Sequence, residues 1–560
     1  MLYTRPCMHR HGWKLWAASA LSAALLELPF PLAGPMPPWR SVFAWFGLAP
    51  LLWALLHPMV SDGKRPLRRS FLLAYLCGFL WYCGNCYWVR DTMSKYGDMP
   101  PAAPTLLMMG FSAVLGLYFG LFGLGLQIVR RATGSVKIAL VFAPFLWVAL
   151  ELAAARITSV PWDQLGYSQV DNGVINWLAS STGVYGISFV LVALNALILA
   201  GDPRGLFFRL SPKGLLWGLL LGGLVGVLLS GIRGPKPEPI PPTATAVLVQ
   251  PNLNVGAEGN WPGSEWDRHI ADFARLAAES CKPYIAGIPQ TSAPVVVPQC
   301  PDPPTHPGLV AWPEAPAPFE ETDPVFRQAI AKIAQAEQSP VVVGGLGADF
   351  SNDDRQWNFY NSAMIFDFAG RHIGRYDKIH LVPFGEYIPF EKLLFFARKL
   401  TGRVSRFTRG DEHKVFLLSD AMGQHHRYGI FICYEAVFAD EVRHFSQLGA
   451  EVLVNISDDG WYGDTSAPWQ HLNMARMRAI ENRRWLLRDT NDGVTCVIDP
   501  YGRVRQSILR HVADALPAQF GFRDDITFYA AHGDVFAWAC AILSLGAVGW
   551  SLKGRRLHKM

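Results

Sequence analysis

Three side chains that could take part in catalysis lie at or near the ends of apolar runs in the second half of the chain. Glu314 ends LVAWPE, Lys378 lies within GRYDKIHLVPFGEY, and Cys433 follows the apolar run of GIFICYE. A thiol with an ordinary pKa of ~8.5 is mostly protonated at neutral pH, so it needs a nearby base or positive charge to become a nucleophile. Glu314 could accept that proton, and Lys378 could stabilise either the thiolate or the oxyanion formed by attack on an acyl carbon. Together, the three residue types would allow Cys433 to attack an acyl carbon.

Each of the three residues also has a simpler explanation when it is taken alone. A cysteine after a buried strand is most often a small core residue. Glu314 after Trp-Pro fits an exposed loop charge, and Lys378 could pair with Asp377 on the surface. The chemical hypothesis therefore depends on a fold that brings the three side chains together.

Residues 243–530 have the pattern of such a fold, because short apolar runs alternate with helical periodicity. The predicted strands are Ala246–Val249, Leu309–Trp312, Val341–Gly344, Ala363–Asp367, Gly429–Cys433, Val452–Ile456 and Val494–Ile498, and the predicted helices are Asp267–Glu279, Pro324–Glu337 and Pro468–Asn482. This alternation is typical of a layered α/β domain. In α/β sheets, catalytic groups gather where strands end. The proline-rich segment Pro235–Pro242 marks the domain boundary, because it cannot continue a helix.

The rest of the chain is dominated by eight long hydrophobic stretches. They are Trp13–Ala33, Ser41–His57, Ser70–Val89, Pro104–Val129, Ile138–Ala154, Val174–Ala200, Leu215–Ile232 and Gly533–Leu552. Most reach the ~17 to 25 residues that cross a bilayer as a helix. A water-soluble core could not bury all eight, so we predict a polytopic helical membrane bundle of about eight spans.

Basic residues indicate how the bundle is oriented. They concentrate at the N-terminus, in alternate connections such as Lys64–Arg69, and at the C-terminus, whereas the opposite connections hold few. The positive-inside rule then places both termini in the cytoplasm and the α/β domain outside it. We expect the first stretch to be retained as a span, because it is long and has no clear cleavage site. The predicted units are residues 1–234, with seven spans, 235–530, the catalytic domain, and 531–560, the final span and tail. The net charge of +5 reflects this topology, and no nucleic-acid partner is expected.

Several motifs, in the α/β region and in the membrane part, resemble known families. WPE, DKIHLVPFGEYIP and ICYE, in that order, resemble the Glu-Lys-Cys signature of the nitrilase (carbon-nitrogen hydrolase) superfamily. The segment Asn455–Gly502, which begins NISDDGWYGD, resembles the apolipoprotein N-acyltransferases. The segments VPWDQLGYSQ and GVYGISF in the membrane part resemble them as well. The resemblance thus covers both parts of the chain.

The resemblance implies an αββα nitrilase-like domain on the periplasmic side of a bacterial inner-membrane bundle. It also implies a ping-pong reaction in which Cys433 attacks the sn-1 ester of a phospholipid, with phosphatidylethanolamine as the expected donor. The thioester then passes its acyl chain to the α-amino group of the S-diacylglyceryl-cysteine of an apolipoprotein. Neither a cofactor nor a metal is expected for this chemistry.

The resemblance also assigns roles to individual residues. Glu314 matches the general base, Lys378 the oxyanion-stabilising lysine and Cys433 the nucleophile. Further residues match family positions near the site, namely Glu386, Tyr434, Glu435, Trp461 and either Trp261 or Trp266.

Several alternatives remain open from the sequence. The Leu- and Phe-rich segment Phe384–Phe396 could gate the entrance for the acyl chain, or it could be a core helix. Cys281 and Cys300 could form a disulfide in an oxidising periplasm. A membrane-tethered amidase that releases the acyl group to water would use the same triad. A non-catalytic lipid carrier is disfavoured, because a binding protein has no use for a thiol with these partners.

Overall fold

A computed structural model describes residues 12–97, 99–200, 241–255, 263–279, 307–314, 319–351, 355–383, 385–387, 407–420 and 423–557. Within these ranges the chain folds into a helical bundle and an α/β sandwich that share an extensive junction.

The bundle is built from the N-terminal helices and the C-terminal one. Its α-helices are Gly12–Glu27, Ala49–Leu56, Pro58–Ser61, Pro66–Asn85, Trp88–Tyr96, Ala103–Thr133, Val136–Ile157, Ala179–Thr182, Val184–Ala200 and Val535–Leu557, with 3-10 helices Pro38–Trp45, Leu165–Gln169 and Asn176–Leu178. The last helix packs against Ala103–Thr133 and Val136–Ile157. The N-terminal helices and the last helix therefore share one apolar core.

Four helical segments among the described residues are long and apolar enough to cross a membrane: Pro38–Leu56, Ala103–Thr133, Val136–Ile157 and Val535–Lys553. The helices Gly12–Glu27, Pro66–Asn85 and Val184–Ala200 coincide with three further predicted stretches. The stretch predicted as Val174–Ala200 forms its long helix only from Val184 onward. Gly183, just before this helix, has a positive φ of 64°, which interrupts the helical backbone. The stretch Leu215–Ile232 lies outside the described residues, so the number of eight spans stays a prediction.

Two six-stranded sheets face each other in the α/β part. Their strands are β1 Ala244–Gln250, β2 Leu309–Ala311, β3 Val341–Ser351, β4 Gln356–Phe366, β5 His372–Asp377, β6 Val415–Ser419, β7 His425–Ile432, β8 Val452–Ser457, β9 Trp485–Thr490, β10 Cys496–Ile498, β11 Val504–Ser507 and β12 Asp514–Phe520. One sheet has the order β12-β1-β2-β3-β4-β5 and the other β11-β10-β9-β8-β7-β6. Apolar side chains from both sheets form a single core between them.

Helices cover the outer face of each sheet. The helices Gly263–Glu279 and Pro324–Glu337 pack on the first sheet through side chains such as Phe273 and Phe326. The helices Ala439–Gln447 and Ala467–Asn482 cover the second sheet, and the short helix Phe528–His532 leads back to the bundle. The result is the predicted αββα sandwich.

The helix Ala467–Asn482 lies between the second sheet and the bundle. Leu472, Ala475 and Ala479 face the sheet, whereas Met474 and Met477 join the apolar core of the bundle. Burial on both sides explains why this helix has no exposed polar stripe despite its many polar residues. It fixes the second sheet relative to the membrane helices.

Candidate active site

The three predicted reactive residues come from strand ends of both sheets. Glu314 follows β2 and Lys378 follows β5, both in the first sheet, whereas Cys433 follows β7 in the second. Since the two sheets face each other, these strand ends converge between them. All three side chains are buried. The fold therefore meets the condition on which the chemical hypothesis depends.

Lys378 joins two carboxylates. Its Nζ donates to Glu314 Oε1 and to Glu386 Oε1, each at 2.9 Å, and the residue is 1% exposed. Burial alone would lower the pKa of the Lys378 ammonium, but Glu314 and Glu386 together raise it well above its usual range. Lys378 consequently stays charged, and the surface pairing with Asp377 is not seen. Asp377 instead pairs with Arg375 at 2.9 Å.

Asn361 completes this cluster, although nothing in the sequence had marked it as a site residue. From β4, its Nδ2 donates to Glu314 Oε1 at 2.7 Å and to Glu386 Oε1 at 2.6 Å. The second oxygens of the two carboxylates accept backbone N–H groups, from Asp458 at 3.0 Å and Val382 at 2.7 Å respectively. Both carboxylates are thus held in fixed orientations. The only signal for Asn361 in the sequence is that the polar pair Asn361 and Ser362 directly precedes the apolar run Ala363–Phe366.

Cys433 begins a 3-10 helix, Cys433–Val437, directly after β7. Its backbone is left-handed, with φ of 50°, which is uncommon for a residue other than glycine and typical of functional sites. Burial raises the pKa of the Cys433 thiol well above its usual value, and the charge of Glu314 raises it further, against the lowering effect of Lys378. The resting thiol is therefore protonated and depends on a base to become a nucleophile.

Glu435 acts on the backbone rather than on the thiol. Its carboxylate accepts the N–H of Ile432 at 2.7 Å and of Ile379 at 2.7 Å, and also the Tyr376 hydroxyl at 2.8 Å. Ile432 precedes Cys433 and Ile379 follows Lys378. One buried carboxylate therefore ties the nucleophile's strand end to that of the lysine across the two sheets.

A second buried cluster lies behind Cys433. His471 Nε2 is 3.0 Å from the carbonyl oxygen of Cys433, and its Nδ1 is 2.9 Å from Asp459 Oδ1. Arg488 reaches Asp459 Oδ2 at 2.7 Å and His471 Nδ1 at 3.1 Å. The sequence had placed these residues only within the family-like segment Asn455–Gly502, without a role. Of the three, only Arg488 carries a signal, as a charged residue after the apolar run of WLLRDT, whereas Asp459 and His471 lie in the polar stretches SDDG and WQHLN.

The other predicted residues have side chains that contact the bundle, or they lie outside the described residues. The Tyr434 hydroxyl donates to Ser159 O of the bundle at 3.0 Å. Trp461 is 41% exposed and packs edge-on against Tyr96, with ring centroids 5.0 Å apart. Within the described part of the chain, no hydrogen bond or ring contact joins its side chain to Glu314, Lys378 or Cys433.

Four other predicted features cannot be placed. Trp261 and the pair Cys281 and Cys300 lie outside the described residues. Trp266 falls in the helix Gly263–Glu279, but its side chain is not among those described. Of the segment Phe384–Phe396, the structure describes only residues 385–387.

The sandwich and its convergent Glu, Lys and Cys define a nitrilase-type domain fused to a membrane bundle. The carbon-nitrogen hydrolase family matches residues 286–508, and the apolipoprotein N-acyltransferase N-terminal domain matches residues 14–197. The chain belongs to the apolipoprotein N-acyltransferase family.

Two curated relatives named apolipoprotein N-acyltransferase align with nearly the whole chain. The protein from Geobacter metallireducens is 32% identical over 96% of this chain and 96% of its own. The protein from Pseudomonas putida is 30% identical over 98% of this chain and 99% of its own. Among solved structures, Saccharomyces cerevisiae Nit3, a member of branch 10 of the nitrilase superfamily, is 16% identical with a TM-score of 0.34. That match covers 50% of this chain and 90% of Nit3.

Proposed function

We propose that this protein transfers a fatty acyl chain from the sn-1 position of a phospholipid to the α-amino group of the S-diacylglyceryl-cysteine of apolipoproteins. The observation that carries the proposal is the convergence of Glu314, Lys378 and Cys433 at the strand ends of facing sheets, beside a membrane bundle. Membership of the family supports the lipid and lipoprotein substrates.

In the first half-reaction, Cys433 attacks the ester carbonyl of the phospholipid. Glu314 takes the thiol proton, which the raised pKa of Cys433 would otherwise keep in place. The carbonyl oxygen becomes negative and is stabilised by the Lys378 ammonium, which its two carboxylate partners hold in position. When the C–O bond breaks, the proton passes from Glu314 to the glycerol oxygen, and a lysophospholipid leaves. The acyl chain remains on Cys433 as a thioester.

The second half-reaction uses the same groups in the reverse order. The α-amino nitrogen of the acceptor attacks the thioester carbon, and Lys378 again faces the negative oxygen. The nitrogen gives its proton to Glu314 as the C–S bond breaks, and the proton returns to the sulfur of Cys433. The products are an amide on the lipoprotein and the free enzyme, so no cofactor enters the balance.

We propose phosphatidylethanolamine as the donor because of an acidic cavity at the junction. The cavity, of about 200 Å³, lies between the end of Val136–Ile157 and the segment Val437–Glu441, which follows the nucleophile's 3-10 turn. Asp440, Glu441 and Asp534 line it together with Arg156 and His380, and Arg443 pairs with Asp440. Three carboxylates thus face two guanidiniums. The excess of carboxylates favours a headgroup that ends in an ammonium over an anionic one.

The same cavity suggests a test of headgroup preference. In vesicles that differ only in headgroup, loading from phosphatidylethanolamine should exceed loading from phosphatidylglycerol. Glu441→Gln should reduce the ratio of the two loading rates. Glu412→Gln, which changes an exposed carboxylate on the neighbouring segment, should leave that ratio unchanged. Equal loading from both lipids by the unmodified protein would refute the proposed donor.

The topology is proposed together with the reaction. The units are residues 1–234 as the membrane bundle, 235–530 as the catalytic domain on the periplasmic side of the inner membrane, and 531–560 as the final span, with both termini in the cytoplasm. The basic ends of the chain support this orientation. A reporter enzyme that works only in the cytoplasm should therefore show activity when it is fused after residue 560.

The decisive experiment maps the acyl group. After exposure to phospholipid vesicles, mass spectrometry should find a hydroxylamine-sensitive acyl group on Cys433. Cys433→Ala should abolish it, and Cys496→Ala, which removes a buried thiol of the same sheet, should not. An acyl group on another residue, or on none, would refute the proposal.

The acceptor separates the transferase from the amidase alternative. Addition of a diacylglyceryl peptide should discharge the acyl-enzyme much faster than water alone. If water discharges it equally fast, the protein is a hydrolase.

A further inference from the structure

The cluster behind Cys433 contacts the peptide bond that follows the nucleophile. A carbonyl oxygen can only accept, so His471 Nε2 carries a hydrogen and donates it to Cys433 O at 3.0 Å. This carbonyl and the N–H of Tyr434 belong to the same peptide group. A hydrogen bond to one end of a peptide polarises it and strengthens the donor at the other end.

The N–H of Tyr434 is placed to use that polarisation. Tyr434 is the second residue of the 3-10 helix Cys433–Val437, and the first N–H groups of a helix lack partners within the helix. The N–H also belongs to the residue adjoining the nucleophile, beside the carbon that Cys433 attacks. It is therefore available to the oxyanion, together with the Lys378 ammonium.

The imidazole is fixed from its other side by buried charges. Asp459 Oδ1 lies 2.9 Å from Nδ1, and Arg488 holds this carboxylate through Oδ2 and also donates to Asn455 Oδ1. His471, Asp459 and Arg488 are each 0% exposed. Burial alone would raise the pKa of Asp459, but Arg488 and His471 lower it well below its usual range, so the carboxylate is charged. The ring consequently has one orientation, with Nε2 directed at Cys433 O.

We propose that His471 is a positioning residue for acyl transfer, whose Nε2–H holds and polarises the Cys433–Tyr434 peptide so that Tyr434 N–H stabilises the oxyanion. The inference rests on the proposed Cys433 thioester. It also accounts for the left-handed backbone of Cys433, because the hydrogen bond to its carbonyl fixes the strained turn.

The experiment compares three substitutions at one position. His471→Gln can keep an amide N–H near the former Nε2, His471→Asn is one methylene shorter and cannot reach, and His471→Phe has no donor. Each protein is loaded from phosphatidylethanolamine vesicles carrying a ¹³C-labelled acyl carbonyl. The loading rate is measured against lipid concentration, and the thioester C=O stretch of the acyl-enzyme is recorded by isotope-edited infrared spectroscopy.

Loading at saturating lipid should fall about tenfold in the Phe and Asn variants, less than the ~10²- to 10³-fold cost of deleting an oxyanion donor outright. Half-saturation should stay unchanged, and His471→Gln should recover most of the rate. The C=O stretch should move to higher frequency in the Phe and Asn variants and return in the Gln variant, because a polarised N–H weakens the carbonyl bond.

Two results would overturn the inference. One is an unchanged C=O frequency in His471→Phe. The other, which applies even if His471→Phe does not fold, is equal rates and frequencies in the Gln and Asn variants. A failure of the proposed function looks different, since the unmodified protein would then show no thioester band.

Discussion

Lys378→Met removes the buried cation of the candidate site while keeping a side chain of similar length. Lys378 donates to Glu314 and Glu386 at 2.9 Å each, and the side chains of the three residues are 1%, 8% and 12% exposed. Removing one partner of a buried ion pair costs about 3 to 5 kcal/mol, because it leaves uncompensated charge. Here two carboxylates lose the same cation. We therefore expect the free energy of unfolding to fall by at least about 3 kcal/mol.

A second substitution separates this structural cost from the chemical one. In Lys378→Met with Glu386→Gln, one of the two stranded charges is gone, and the Gln oxygen can still accept from Asn361. The recovery should be incomplete, about 1 to 2 kcal/mol, because the Gln amide nitrogen cannot accept the N–H of Val382. The double variant should thus be more stable than the single one.

The rate of acyl loading should not recover in the double variant when its free energy of unfolding does. Without the ammonium the oxyanion loses a charged donor, so loading should fall by about 10²- to 10³-fold in both variants. Thermal unfolding in detergent gives the stability, and mass spectrometry of Cys433 after phospholipid exposure gives the loading rate. Glu386→Gln alone is the matched control, since it keeps the cation. If the double variant regains the loading rate along with its stability, Lys378 is only structural and the oxyanion assignment is wrong.

Two further predictions concern the neighbours of the nucleophile. Glu314→Gln should slow acyl loading by removing the base, yet it should also lower the pKa of the Cys433 thiol. The pH profile of iodoacetamide alkylation at Cys433 should therefore shift to lower pH, and an unchanged profile would contradict the electrostatic interaction between the two groups. Glu435→Gln should lower the free energy of unfolding by about 1 to 3 kcal/mol, because its amide nitrogen cannot accept the Ile432 N–H. Stability within error of the unmodified protein would show that Glu435 does not tie the two strand ends together.

Much of the sandwich was predictable because its strands are short apolar runs bounded by turns. The runs at β1, β2 and β8 match the structure closely, and so does the helix Pro324–Glu337, whereas the run Gly429–Cys433 covers only the second half of β7. In contrast, β5, β6, β9, β11 and β12 were not predicted, and β9 shows why. Its sequence, WLLRDT, contains charged residues that suggest exposure, yet all six residues are buried. Arg488 is tolerated there because Asp459 pairs with it, and such a pairing cannot be read from a single sequence.

The candidate site likewise contains residues that could be predicted from the sequence and residues that could not. Glu314, Lys378 and Cys433 were predictable because each follows an apolar run in a long, ordered motif. Asn361 and His471 were not, because each stands among other polar residues, in NFYNS and PWQHLN, where a surface position fits equally well. Their roles depend on which backbone and side-chain atoms meet across two sheets and a helix, and those contacts join residues far apart in the chain.

The helix Ala467–Asn482 links the chemistry to the bilayer. Its neighbouring residues Gln470 and His471 face different partners: Gln470 accepts from Trp162 Nε1 of the bundle at 2.8 Å, whereas His471 donates to Cys433 O. One rigid element therefore sets the position of the nucleophile relative to the membrane helices. That link matters because a methylene is worth ~0.8 kcal/mol on leaving an apolar environment, so drawing a sixteen-carbon chain into water would cost on the order of 10 kcal/mol. A sulfur held at a fixed depth can reach the ester while most of the chain stays in lipid.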